Sequence, residues 1–247
     1  MKKNGFSWPF HPFQVASWIA YFLNILSYFG VIAPWLSSIS IILVIGLSFL
    51  YFILNGAVMV YAIKAMKWNP TDRAVLLNWE LMKKGIVPEK KEKSALYCQV
   101  WESYVNERTK HCGEWNRCVE LFDHHWKWLN NCIGAKNYKT FIILIILVGI
   151  QTFYYTLAGF AFIILGFSKK TRPKKVENGP WMIEKRDSKG IAIIVTVLVL
   201  VLMLVSGIIS IGIFLLLKLH YKLMKFDFTT FEYIQYCEGR KMRLERL

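Results

Sequence analysis

The 247-residue chain is 55% hydrophobic and 16% aromatic, and carries 31 Lys and Arg against 16 Asp and Glu, for a formal charge of +15. That composition is too apolar for an ordinary soluble domain and predicts an integral membrane protein. The basic residues flank apolar runs and form no interleaved basic and aromatic stripe, which argues against nucleic acid as a partner and for anionic lipid.

The chain opens with MKKNGFSWPFHPFQ. Lys2 and Lys3, followed by Phe6, Trp8, Phe10 and Phe13, suit a segment (1–14) whose rings rest at headgroup level. Val15 to Leu36 is long enough to cross a hydrocarbon core of about 30 Å, which takes roughly 20 residues. No small-residue cleavage site closes a shorter core, so span one is expected to be retained. Ser37 and Ser38 leave room only for a tight turn before a second run from Ile39 to Ile63. The resulting hairpin (15–63) contains no charge, and its most polar residues, Asn24 and Asn55, are expected to make interhelical hydrogen bonds.

Residues 64–140 form a polar loop rich in Lys and Glu, opened by Trp68-Asn69-Pro70 and a short helix from Asp72 to Lys84 that Gly85 stops. Phe141 to Phe167 and Gly190 to Leu217 supply two further uncharged spans (141–217), and 218–247 is a polar tail. With four spans, the N-terminus, the central loop and the tail share one side and carry 2, 14 and 7 basic residues, against eight on the other. The positive-inside rule puts the richer side in the cytosol. The spans lack the intramembrane charges that mark an ion or substrate path, which argues against a channel or transporter.

Chemistry concentrates in the loop. From His111 to Phe141 the chain reads HCGEWNRCVELFDHHWKWLNNCIGAKNYKTF, with three of its five cysteines and three of its five histidines. Cys98 belongs to the same cluster; Cys237 does not, and reads as a free thiol. Such clusters are disulfides in an oxidising compartment and metal ligands in a reducing one, so a cytosolic loop favours zinc. Cys98, His111, Cys112, Cys118, His124, His125 and Cys132 are seven candidates. Two closed tetrahedral sites need eight ligands, so the sequence as written falls short of two. The paired Cys-x2-Cys knuckles of a RING-like ligase are missing.

The stretch resembles the cysteine-rich domain of the DHHC-type protein S-acyltransferases, the membrane palmitoyltransferases. Their pattern runs C-x2-C-x9-H-C-x2-C-x2-C-x4-D-H-H-C-x5-C-x4-N-x3-F, and every interval is matched from Cys98 to Phe141. The mismatches fall at three cysteines, where this chain has Trp101, Trp115 and Trp126. Asn4 to Gln14 is similar to an N-terminal segment in one branch of the family, and Thr229-Thr230-Phe231-Glu232 matches its TTxE motif. Asn69-Pro70 stands where the family has Asp-Pro, and a further C-terminal motif is expected to be missing from the tail.

The resemblance implies an all-α membrane protein with four transmembrane helices and a small cytosolic zinc-binding domain (about 95–140) between helices two and three. It implies one zinc held by Cys98, the Trp101 position, His111 and Cys118, and another by Cys112, the Trp115 position, His125 and Cys132. Indole nitrogen only donates, so neither tryptophan replaces the lost ligand. Asp123 would orient His124, and His124 would activate a nucleophilic cysteine at position 126 to take a palmitoyl group from acyl-CoA and pass it to a protein thiol. Thr229, Thr230 and Glu232 would support this site, Thr230 by contacting Asp123. Spans three and four would help enclose the acyl chain. Lys and Arg of the loop are candidates for the CoA phosphates, though each singly reads as solvated surface charge. The implied partners are the bilayer, palmitoyl-CoA and cytosolic-face proteins with membrane-proximal cysteines, in an endomembrane (endoplasmic reticulum or Golgi) rather than the plasma membrane.

Trp126 has no nucleophilic atom, which leaves two readings. All three lost cysteines have become Trp, whereas drift would scatter the replacements. Cys and Trp share a codon box with UGA, so a gene that uses UGA for Cys, read with UGA as Trp, gives this outcome. The other reading is a catalytically inactive DHHC-like scaffold.

Overall fold

In the computed structural model, which describes residues 3–37, 39–86, 96–167 and 188–244, four helices are long and apolar enough to cross a membrane: Pro12–Ser37, Ile41–Lys67, Tyr138–Ile164 and Ile193–Lys225. Their order matches the four predicted spans. Span four continues two turns beyond the expected end at Leu217, which brings His220 onto the helix. Ser38 and the connection 168–187, with most of its eight basic residues, lie outside the described residues. Span one holds a π turn over Tyr28–Ile32 that the hydropathy pattern does not signal. Widening one turn rotates the rest of the helix, and Tyr28 and Ile32 are both buried there.

The chain divides into two compact units, one made of Ala16–Met59 and Ile145–Leu215, the other of Met1–Val15, Val60–Leu144 and Leu216–Leu247. In the first, apolar side chains gain little by leaving lipid for each other, so polar ties and close approach hold the helices. Ser27 and Tyr155 share a hydrogen bond of 2.7 Å. Asn24 accepts from Ser206 on span four at 3.1 Å, and Asn55 accepts from Gln151 on span three at 3.5 Å. These are the interhelical bonds expected of the two asparagines. Gly159 lets span four approach, since a Cβ there would stand 2.9 Å from Met203.

The second unit is built on three antiparallel hairpins: β1 (Leu96–Cys98) with β2 (Ser103–Val105), β3 (Lys110–Cys112) with β4 (Arg117–Val119), and β5 (His124–Trp126) with β6 (Asn131–Ile133). Strands of three residues bury too little to stand alone, so side-chain hydrogen bonds hold them. The predicted short helix spans Arg73–Lys83, with Asp72 at its N-cap accepting from the Ala74 N–H at 2.8 Å. The other Asp72 oxygen takes the Thr109 hydroxyl at 2.5 Å, and the Asp72 N–H bonds the Cys118 carbonyl at 2.8 Å. Gly85 follows the helix with φ of +73°, which suits glycine. Asn69 makes the turn before it, accepting from the Thr71 N–H and hydroxyl at 3.1 and 2.6 Å.

The β5–β6 hairpin is fastened to the end of span two. Asn131 donates to the carbonyls of Ala65 and Trp68 at 3.0 and 2.9 Å, satisfying acceptors that a helix C-terminus leaves open. Asn137 donates to the Cys132 carbonyl at 2.9 Å just before span three begins. The N-terminal segment does more than rest at a headgroup surface. Its Gly5 N–H bonds the Met66 carbonyl at 2.7 Å, Gln14 donates to the Gly5 carbonyl at 2.9 Å, and Phe13 stacks on Trp128 at 5.0 Å.

Candidate functional site

Hairpin register makes the metal triads. In β3–β4, His111 lies directly opposite Cys118, and in β5–β6, His125 lies opposite Cys132. Cys98, at the end of β1, completes the first group, and its sulfur and that of Cys118 each lie 3.7 Å from His111 Nδ1. Cys112 completes the second, where Cys132 Sγ lies 3.5 Å from His125 Nδ1. Donors in each group all fall within 4.8 Å of one another. Zinc bonds of about 2.3 Å to sulfur and 2.0 Å to nitrogen put tetrahedral S and N ligands about 3.6 Å apart. The triads therefore fit three corners of a zinc tetrahedron, and thiolate with imidazole is a donor set for zinc rather than for magnesium or calcium.

Trp101 and Trp115 pack in the clusters that hold the two triads. Trp101 packs with Cys98 and Cys118, and its indole donates to the Asn116 carbonyl at 3.1 Å. Trp115 packs with Cys112 and Cys132, and its backbone N–H bonds the Cys112 sulfur. Its ring lies 4.4 Å beneath the guanidinium of Arg117, a fully buried cation. A hydrogen bond with Cys132 is the main cause that holds the Cys112 thiol down at about 4, helped by His125 and opposed by burial. The same bond, then burial, pushes Cys132 well above the ordinary thiol range. The buried Arg117 guanidinium favours negative charge on this pair of sulfurs. A charged thiolate is the form that ligates metal.

Alternation along β5 separates two groups of side chains. His125 turns to the second triad, while His124 and Trp126, two residues apart, share the other face. His124 Nδ1 lies 2.5 Å from Asp123 Oδ2. Thr230 donates its N–H to Asp123 Oδ1 at 2.9 Å and its hydroxyl to Oδ2 at 2.8 Å. Burial alone would raise the Asp123 pKa, but the hydrogen bonds from His124 and Thr230 prevail and hold it below the usual carboxylate value. The carboxylate orients the imidazole and leaves Nε2 as the working nitrogen. That nitrogen is buried and has no hydrogen-bond partner among the described residues. Around the ring stand Trp126 at 5.2 Å, Phe141 at 5.3 Å and His220 at 6.1 Å, between centroids.

Asp123, His124 and His220 also bring donor atoms within 4.8 Å of one another. Both Asp123 oxygens already accept protein hydrogen bonds, so Asp123 and His124 read as a proton relay with His220 packed beside it. The motif Thr229-Thr230-Phe231-Glu232 has a local reason as well. Thr229 and Glu232 form a capping box for the helix Thr230–Leu244, with the Thr229 N–H on Glu232 at 2.8 Å and the Glu232 N–H on Thr229 at 3.2 Å. Glu232 is gripped by Arg108 through bonds of 2.7 and 2.8 Å. The structure gathers Cys98, His111 and Cys118 in one group, Cys112, His125 and Cys132 in a second, and Asp123, His124 and Thr230 in a third, and adds Arg108, Asn131 and His220. Of these three, only His220 left a signal, as an imidazole at the end of an apolar run. Cys237 is exposed on the C-terminal helix, apart from the clusters.

Comparison with known proteins gives a family model described as DHHC palmitoyltransferase, matched over residues 91–236. The chain is similar to palmitoyltransferase erf2 of Schizosaccharomyces pombe, 34% identical over 109 residues, which cover 43% of this chain and 29% of that protein. It is 39% identical over 87 residues to a putative ZDHHC-type palmitoyltransferase 1 of Dictyostelium discoideum, covering 35% and 18%. It is 34% identical over 83 residues to human palmitoyltransferase ZDHHC18, covering 34% and 19%. The matched stretch spans less than a third of each of these relatives.

Proposed function

From the premise that the chain belongs to the DHHC palmitoyltransferase family, matched over residues 91–236, we propose that it is a multi-pass membrane protein S-acyltransferase. It moves a palmitoyl group from acyl-CoA to cysteine thiols of cytosolic-face proteins, and the natural residue at 126 is cysteine. The observation that carries this reading is the Thr230, Asp123 and His124 chain, which ends on a buried imidazole nitrogen with no partner beside position 126. A proton relay of this kind has work to do only if a nucleophile stands there.

In this mechanism His124 Nε2 takes the proton of the thiol at 126. The thiolate attacks the thioester carbonyl of palmitoyl-CoA, the bond from that carbon to the CoA sulfur breaks, and CoA leaves with the proton from His124. A substrate thiol then gives its proton to His124 and attacks the acyl-enzyme carbonyl, the bond from that carbon to the cysteine sulfur breaks, and the freed cysteine takes the proton from His124. Asp123 stabilises the imidazolium in both steps. Cys98, His111 and Cys118, and Cys112, His125 and Cys132, would hold two zinc ions, with cysteines at 101 and 115 as the fourth ligands. Bound zinc supplies rigidity to hairpins too short to hold themselves. We divide the chain into a cytosolic segment 1–14, a hairpin 15–63, a cytosolic domain 64–140, spans 141–217 and a cytosolic tail from 218.

The inactive-scaffold reading draws on one observation: Trp126 packs edge-to-face on both His124 and Phe141, at 5.2 and 5.1 Å. Two measurements decide. Codons 101, 115 and 126 of the gene should be UGA, with cysteine in peptides of the native protein. The protein with Trp101→Cys, Trp115→Cys and Trp126→Cys should form a hydroxylamine-sensitive acyl-enzyme with palmitoyl-CoA, and the chain with Trp126 none. UGG at all three codons, with Trp in native peptides, would put the scaffold first.

A further inference from the structure

His220 has no part in the mechanism above, yet it is one of the most enclosed residues of its unit. It is 1% exposed, near the end of span four. Its Nδ1 lies 3.0 Å from the Tyr138 hydroxyl. Its ring packs edge-on against Phe141 at 5.4 Å and faces His124 at 6.1 Å. Tyr138 and Phe141 are three residues apart, so they project from the same face of span three.

A buried imidazole is costly unless it is hydrogen-bonded, and Tyr138 is the partner seen here. Asp123 holds His124 through a single ring nitrogen, and one hydrogen bond leaves an imidazole free to rock about it. With cysteine in place of Trp126, which also packs on this ring, the neighbours left to block the rocking are Phe141 and His220. Phe141 is in turn packed against His220 and Tyr138.

We propose that His220, anchored by Tyr138, is a positioning residue of the acyl-transfer site: it walls the His124 imidazole so that Nε2 stays aimed at position 126. The proposal rests on the acyltransferase reading for its purpose, and on the packing around His124 for its physical content. Tyr138 fixes the His220 ring, and His220 and Phe141 together fix the plane of His124. The ends of spans three and four thereby set the geometry of a base that belongs to β5.

The test uses the full chain with cysteine restored at 101, 115 and 126, in detergent or bilayer. Two rates are read: alkylation of the thiol at 126 by iodoacetamide, followed by peptide mass and needing no acyl-CoA, and acyl-enzyme formation at saturating palmitoyl-CoA. His220→Ala should slow both on the order of tenfold, since a misaimed base costs rate more than binding. The palmitoyl-CoA concentration for half-maximal rate should not change, and two zinc ions per chain should remain. Tyr138→Phe should slow both by a smaller factor, about threefold, and His220→Gln, which can still reach the Tyr138 hydroxyl, should recover most of the loss. Unchanged alkylation in His220→Ala with zinc retained overturns the proposal. If His220→Ala loses its zinc, Tyr138→Phe decides, and an unchanged alkylation rate there overturns it equally. A parent protein that alkylates fast but never acylates refutes the acyltransferase reading, while slowed alkylation in the variants still supports the positioning role.

Discussion

Thr230 and Asp123 are 107 residues apart in sequence and joined by two hydrogen bonds, the Thr230 N–H at 2.9 Å and its hydroxyl at 2.8 Å, one to each carboxylate oxygen. The carboxylate is 2% exposed, so these donors replace the water it has lost. With cysteine restored at 126, Thr230→Val keeps the shape and removes the hydroxyl bond. A hydrogen bond to a buried charge contributes about 1.5 kcal/mol, so acyl-enzyme formation should slow roughly tenfold. Thr230→Ser should stay near the parent rate. Equal rates in the Val variant and the parent would remove Thr230 from the relay.

The Arg108 and Glu232 pair docks the C-terminal helix. Hydrogen bonds from Arg108, opposed by burial and aided by the Thr229 N–H, lower the Glu232 pKa to about 2. A carboxylate lowered from about 4.3 in the unfolded chain adds stability that is complete above the unfolded value and is lost as pH falls through the folded one. Both side chains are partly exposed, and screening holds the contribution to about 1 kcal/mol. Glu232→Gln should raise amide exchange of residues 229–236 at pH 5 to 7, and the difference from the parent should shrink as the pH falls toward 2. A difference that grows at low pH would reverse the assignment.

Zinc content should follow residues 101 and 115. Among the described residues the chain as written offers three ligands per site, so purified protein should carry weakly held, substoichiometric zinc. Trp101→Cys with Trp115→Cys should carry two ions that resist mild chelation. Metal analysis by mass spectrometry reads both, and two tightly held ions in the written chain would contradict the account.

Gly5 should tolerate no side chain. A Cβ there would stand 3.1 Å from Met66 Cβ and collide with the Leu129 carbonyl. Gly5→Ala should therefore loosen the N-terminal segment by about 1–3 kcal/mol and speed amide exchange in 126–133 while leaving 110–119 unchanged. Uniform exchange across both stretches would show that the segment does not brace the β5–β6 hairpin.

Topology follows from the spans and the 23 basic residues on one side against eight on the other. Tags before Met1 and after Leu247 should both be digested by protease added outside sealed vesicles from the secretory pathway. Protection of one tag alone would require an odd number of crossings.

The sequence by itself determined the four spans, because length and hydropathy suffice when the solvent is lipid. The two ligand sets were implied by the resemblance over Cys98 to Phe141, and the hairpin register sets His111 opposite Cys118 and His125 opposite Cys132. The Asn24 and Asn55 bonds followed from the same logic, since few polar groups were available to pair within the spans. Only the tertiary structure decided what holds those pieces in place. Arg108 reaches Glu232 across 124 residues, Asn131 reaches Ala65 across 66, and His220 meets Tyr138 across 82. None of these pairs has a periodic signature, because each depends on where separate elements end in space. The π turn at Tyr28–Ile32 was hidden for a related reason: hydropathy records how apolar a helix is, while packing against its neighbours decides how its turns are wound.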